Sequence, residues 1–164
     1  MDITQDVVVE RIAARLRSVL GLGERSVIEV AEAEDVPPLP PGGDWFVTLA
    51  GGDGQFETEE QAAGNVTEWQ DVTVTIYSRV KLDSTNHDKA LTRDERRGLY
   101  VLKTKVLASL VGWDATDTDG TTFLRQLIHA RSATRPQVLQ NPSSGVFLGR
   151  LAITFGCPFD WDLL

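Results

Sequence analysis

A chain of 164 residues with 41% apolar and 24% charged content is long enough to bury the core of one globular domain, which excludes disorder throughout. Its formal charge of -8 opposes binding to a phosphate backbone unless the 16 Lys and Arg gather on one face, and the sequence does not gather them. One cysteine, Cys157, cannot close an internal disulfide, no apolar run approaches the ~20 residues of a membrane helix, and MDITQDVVVERIAARL lacks a leader pattern, so maturation in the cytosol is expected.

From about Thr4 to Leu20 the apolar residues Val8, Ile12, Leu16 and Val19, widened by Val9 and Leu20, recur at helical spacing, and Gly21 and Gly23 follow as stop signals. Arg11 and Arg15 share one side of this helix and read as solvated charges. SVIEVA predicts a short strand from Ser26 to Ala31. It runs into EDVPPLPPGGD, whose prolines remove backbone donors and favour a stiff, extended connector.

DWFVTLAGG supplies a second strand near Trp45 to Leu49, and GGDGQFETEEQAAGN then reads as a loop or a long hairpin tip. TEWQDVTVTIYSRV, from Thr67 to Val80, alternates with a period of two. Val72, Val74 and Ile76 fall on one side, and Trp69, Thr73, Thr75 and Tyr77 on the other. One buried face and one accessible face follow from that pattern. An aromatic pair, Trp69 and Tyr77, would then stand on the accessible face, to be covered by a neighbouring subunit, a bulge or a loop of the same chain.

Beyond LDSTNHDKALT, Thr92 and Glu95 form a Thr-x-x-Glu capping box ahead of a helix whose buried stripe is Leu99, Leu102, Val106 and Leu110, ended by Gly112. Thr122 to Ile128 fits a short helix or a strand. Leu151, Ile153 and Phe155 alternate with Ala152 and Thr154 as a closing strand, and the turn at 141–145 allows an antiparallel partner upstream. The expected fold is α+β: a mainly antiparallel sheet with two amphipathic helices packed on one face, in one domain over 1–164, with irregular loops near 32–44 and 51–66.

Candidate chemical sites are few. DATDTDG has the glycine of a calcium loop, yet with Asp117 and Asp119 as the third and fifth ligands the first position falls on Ala115 and the twelfth on Gln126, so it reads as a polar turn. GLGERS follows a helix rather than a strand and reads as a helix stop, not a dinucleotide fingerprint. His87 and His129 stand in no ligand spacing. Cys157, followed by Pro158, reads as a buried thiol. No catalytic constellation, metal site or cofactor site emerges, so no enzyme activity and no cofactor are expected. Trp45 and Trp113 read as core-boundary residues, and Trp161 as an anchor of the C-terminal tail.

The opening helix, the strand pair around DWFVTL and WQDVTVTIYSRV, the helix in ERRGLYVLKTKVLASLVGW and the closing LGRLAITFGCPFD together resemble the tail terminator or tail completion proteins of long-tailed bacteriophages. That resemblance implies a small α/β protomer whose sheet packs on two helices. It also implies a homohexameric ring of the protein with itself, capping the tail tube protein and meeting the head connector or head completion protein. DNA passes through such a ring without sequence-specific binding, and no membrane is involved. The location implied is the head–tail interface of the virion, after assembly in the host cytoplasm.

On this reading the candidate oligomer contacts are Trp69 and Tyr77, the acidic loop at Glu57, Glu59 and Glu60, and Arg131 and Arg135 as the opposite charge on the adjoining protomer. Overall acidity suits a conduit, because a negative lining repels phosphates. The alternatives are a head completion, tail tube or baseplate component, or a monomeric α/β ligand-binding domain, which would need a concave apolar pocket with convergent polar groups.

Overall fold

A computed structural model describes residues 5–40, 43–57, 65–79, 95–96, 98–115, 127–140 and 147–162. Helix α1 spans Gln5–Leu20, and a single 3-10 turn at Glu24–Ser26 leads into strand β1, Val27–Glu29. Strands β2 (Trp45–Phe56) and β3 (Asn65–Arg79) precede helix α2 (Leu99–Leu110), and β4 (His129–Ala133), β5 (Gln137–Gln140) and β6 (Phe147–Asp162) complete the chain. The sheet runs β1-β2-β3-β6-β4, with β5 also on β6. Its β1–β2 pair is parallel and the other pairs are antiparallel. The α+β class therefore holds, with both helices on one face.

That face is the main core. Register aligns Val47, Ile76 and Leu151 in one row across β2, β3 and β6, and Leu49, Val74 and Ile153 in the next. Val8, Ile12 and Leu16 of α1 and Leu99, Leu102, Val106 and Leu110 of α2 close over these rows, all with no exposed surface. Each such aliphatic side chain contributes about 1.5–3 kcal/mol through burial. Trp45 and Trp113 pack at its margin, as expected of boundary residues.

Glycines end both helices. Gly21 and Gly112 have φ of +64° and +78°, a left-handed conformation that glycine adopts without steric cost. The start of α2 departs from expectation. Its first helical residue is Leu99, the N-cap is Gly98 without a side-chain cap, and Glu95 sits in an exposed turn ahead of it, while Thr92 lies outside the described residues.

Arg11 and Arg15 are not free surface charges. Arg11 donates to the carbonyl of Ala115 at 3.0 Å, and Arg15 donates to that of Ser109 at 3.2 Å while its guanidinium lies 5.2 Å from the Trp113 ring. Arg15 thereby ties α1 to the last turn of α2, where unpaired carbonyls and the helix dipole favour a cation, and Arg11 ties it to the segment that follows that helix.

Three other boundaries moved. Ser26 belongs to the 3-10 turn, so β1 is shorter than 26–31. β2 continues past Leu49 through an irregularity between Gly51 and Gly54 as far as Phe56, which pairs with Glu68, so of the two expected readings, loop or hairpin, 51–56 takes the hairpin. β5 is the upstream partner allowed by the 141–145 turn, whereas β4 lay unrecognised; residues 116–126 are outside the described set.

The second face carries a smaller apolar cluster at one end. Phe46, Tyr77 and Leu148 are buried there, and Ile28, Val36, Leu39 and Leu139 pack on them. The Phe46 and Tyr77 rings stack with centroids 4.9 Å apart. Val36 and Leu39 belong to the proline-rich connector, so this segment is a cover as well as a link. Arg79 donates to the Pro40 carbonyl and Arg150 donates to the Ala33 carbonyl at 3.2 Å, which pins the connector to β3 and β6.

Candidate assembly surface

Of the covers expected for Tyr77, a neighbouring subunit, a bulge or a loop of the same chain, the structure shows the loop and corrects its place among the oligomer contacts: its exposure is 0%, because the connector lies over it. A residue so enclosed cannot touch a neighbouring copy. Glu59 and Glu60 lie outside the described residues. Glu57, Trp69, Arg131 and Arg135 remain, and the fold brings three of them together.

Strand parity places Trp69 and Asp71 on the second face, beyond the threonines of β3. Their β6 partners are Pro158 and Gly156, and Gly156 in turn pairs with His129 of β4. An irregularity between Ala130 and Ser132 adds Arg131 to β4 as an extra residue. Such a bulge re-aims a side chain, and here His129 and Arg131 both lie over Gly156. A Cβ at Gly156 would stand 2.6 Å from Arg131 Nε and 3.1 Å from His129 Nε2. Glycine leaves the space this pair occupies.

Arg131 Nη1 meets Asp71 Oδ1 at 2.8 Å, and its guanidinium carbon lies 5.9 Å from the Trp69 ring. The His129 ring rests against the same indole with centroids 4.5 Å apart, tilted by 45°. On the other flank Trp69 Nε1 donates to Glu57 Oε1, and the Glu57 amide donates to the Thr67 carbonyl at 2.9 Å. Trp69 is thereby a half-buried platform with a carboxylate at its edge and a cation near its face, a setting that favours both charges. Cover from the same chain, rather than from a second subunit alone, accounts for this aromatic.

Beneath it, on the helix-bearing face, the Cys157 thiol is pushed up to about 12, first by burial and then by the Asp71 carboxylate, with Arg131 acting in the opposite sense. The thiol is therefore protonated and unreactive at neutral pH, as its buried position implied. Between the two ends of the second face the surface is small and polar: Thr48 and Thr75 are buried, and Thr73 and Thr154 hydroxyls lie 3.3 Å apart.

Arg135 stands apart from the Trp69 cluster, exposed on the segment between β4 and β5. Every residue of β4 is exposed, which is unusual for a strand in a folded sheet. Sequence reasoning missed this strand, together with the Asp71, Glu57 and His129 partners. HARSATR carries no apolar alternation, so only its pairing with β6 defines it.

Elsewhere, a depression of about 350 Å³ lies among Gly21, Gly23, Asp44, Trp45, Arg96 and Lys105, with walls mainly of glycine and polar groups. Among the described residues no three His, Cys, Asp or Glu side chains cluster as metal ligands, and no helix is long and apolar enough to cross a membrane.

No family model matches the chain, and no curated protein matches it. Among solved structures it is similar to a chain of the virion of native gene transfer agent (GTA) particle, at 14% identity and a TM-score of 0.48, with 97% of this chain and 100% of that one covered.

Proposed function

We propose that this protein is a structural virion component that works by self-assembly, and specifically a tail terminator: a ring that caps the tail tube, meets the head connector and lets DNA pass. The observation that carries this reading is the protomer itself. Two helices close one face of a mainly antiparallel sheet in the order the sequence resemblance implies, and the sheet ends in a wholly exposed strand, β4. A partner would cover that strand, and a second copy is the simplest one. The formal charge of -8 supports a conduit that repels DNA phosphates over one that holds them. The role is architectural, with no catalytic step and no cofactor.

Immunogold labelling of intact particles with antibody to this chain tests it. Label at the head–tail joint is expected; label along the tube or at the distal tip would replace the terminator by a tube or baseplate role, and absence from particles would remove the virion role altogether.

A further inference from the structure

The two faces of the sheet carry outer layers of opposite charge. Helices α1 and α2 hold Arg11, Arg15, Arg17, Lys103 and Lys105 against Asp6 and Glu10, and α2 itself has no carboxylate. On the second face the connector from Val30 to Pro40 holds Glu32, Glu34 and Asp35 and no cation, and these acids are exposed. The cations beneath it, Arg79 and Arg150, are engaged with the connector's own carbonyls at Pro40 and Ala33.

Helix α2 also lacks a cover on its outer side. Leu99, Leu102, Val106 and Leu110 fill the core, while Tyr100, Thr104, Ala108 and Val111 recur at helical spacing on the opposite side and form one exposed line. Tyr100 is 50% exposed and Val111 48%. A helix that is apolar on opposite sides is normally enclosed. Lys103 and Lys105 flank the line, one on each side, so a matching surface combines apolar contact with carboxylates. The connector has both. Pro38 is exposed close to its acids, Val36 and Leu39 anchor the segment from below, and a proline-rich strip of this kind docks on aromatic side chains.

The sheet lies between these two surfaces, so within one molecule they face apart and cannot meet. Between molecules, like surfaces repel and unlike ones attract. Contact between unlike surfaces is heterologous and repeats from copy to copy until it closes.

We infer that the occupant of the outer side of α2 is the connector of a second copy of this chain, with Lys103 and Lys105 facing Glu32 and Glu34 and with Tyr100 packed on Pro38. The inference rests on the self-assembly reading above and names the surfaces that meet.

The test uses K103E/K105E, E32K/E34K and their equimolar mixture in sedimentation velocity at low salt, with thermal melts as a folding control. Each variant alone is expected to self-associate about tenfold more weakly or worse than the parent, because it sets like charges together. The mixture is expected to recover, since every contact between the two variants again pairs opposite charges. Tyr100→Ser leaves the charges in place and is expected to weaken association severalfold with an unchanged melt, which keeps the test open should a charge variant fold poorly. Association unaffected by these variants, or no recovery in a mixture of folded variants, would overturn the contact while leaving self-assembly standing. A parent chain that stays monomeric at every concentration would overturn both, whereas the virion role is decided separately by the gold label.

Discussion

Trp69 and Tyr77 sit on the same strand, point to the same face and have met different fates. Tyr77 is sealed: Phe46 stacks on it, and Val36 and Leu39 of the connector close the cluster. Trp69 is only half-covered, by His129 and Arg131 from a strand with no buried residue of its own and by the carboxylate of Glu57. The difference teaches that parity decides the face of a side chain, whereas its burial depends on which distant segment reaches it. An apolar loop makes a core; a polar strand edge makes a surface that still has room for a partner.

The sharpest way to break the comparison is to truncate both aromatics. Tyr77→Ala is expected to cost about 3–5 kcal/mol in urea unfolding, as for other enclosed aromatics, because it removes the packing with Phe46, Val36 and Leu39 and leaves a cavity. Trp69→Ser should cost less, about 1–2 kcal/mol, since part of the indole already faces solvent. A larger loss at Trp69 than at Tyr77 would reverse the assignment of core and surface.

Gly156→Ala probes the Trp69 end alone. The added methyl group would collide with Arg131 and should cost about 1 kcal/mol while displacing it from Asp71. Arg131→Ala should show a smaller effect, at most about 1 kcal/mol, and one that shrinks with added salt, as expected of a partly exposed ion pair. If the two variants lose equal stability in high salt, the steric account of Gly156 is wrong.

The faintest signal comes from Cys157. Its pKa is raised from 9.0 to about 12 in the folded protein, so the protonated thiol favours folding below the unfolded value and that preference is lost as pH climbs from about 9 toward 12. Replacing Cys157 with Ala should flatten that part of the alkaline loss of stability, and the native thiol should resist a thiol reagent until the protein unfolds.

Much of this fold was legible because period and register are local. The stripes of α1 and α2 and the alternation at Val72, Val74 and Ile76 each name a buried face without reference to the rest of the chain. Helix ends at Gly21 and Gly112 were legible for the same reason. What stayed hidden depends on long-range contact. The connector could be read as stiff, but nothing in its prolines says that Val36 and Leu39 land on Tyr77. Arg11 and Arg15 looked solvated because their acceptors, Ala115 and Ser109, lie far along the chain. β4 has no pattern of its own, so Arg131 was visible as a charge while its partner Asp71 was not.

The proposed function requires that this chain assemble with copies of itself. Native mass spectrometry of the purified protein across a concentration series at low ionic strength measures that directly. One closed oligomer, six copies if the terminator resemblance extends to stoichiometry, with no ladder of larger species, is the predicted spectrum. A monomer at every concentration would contradict it.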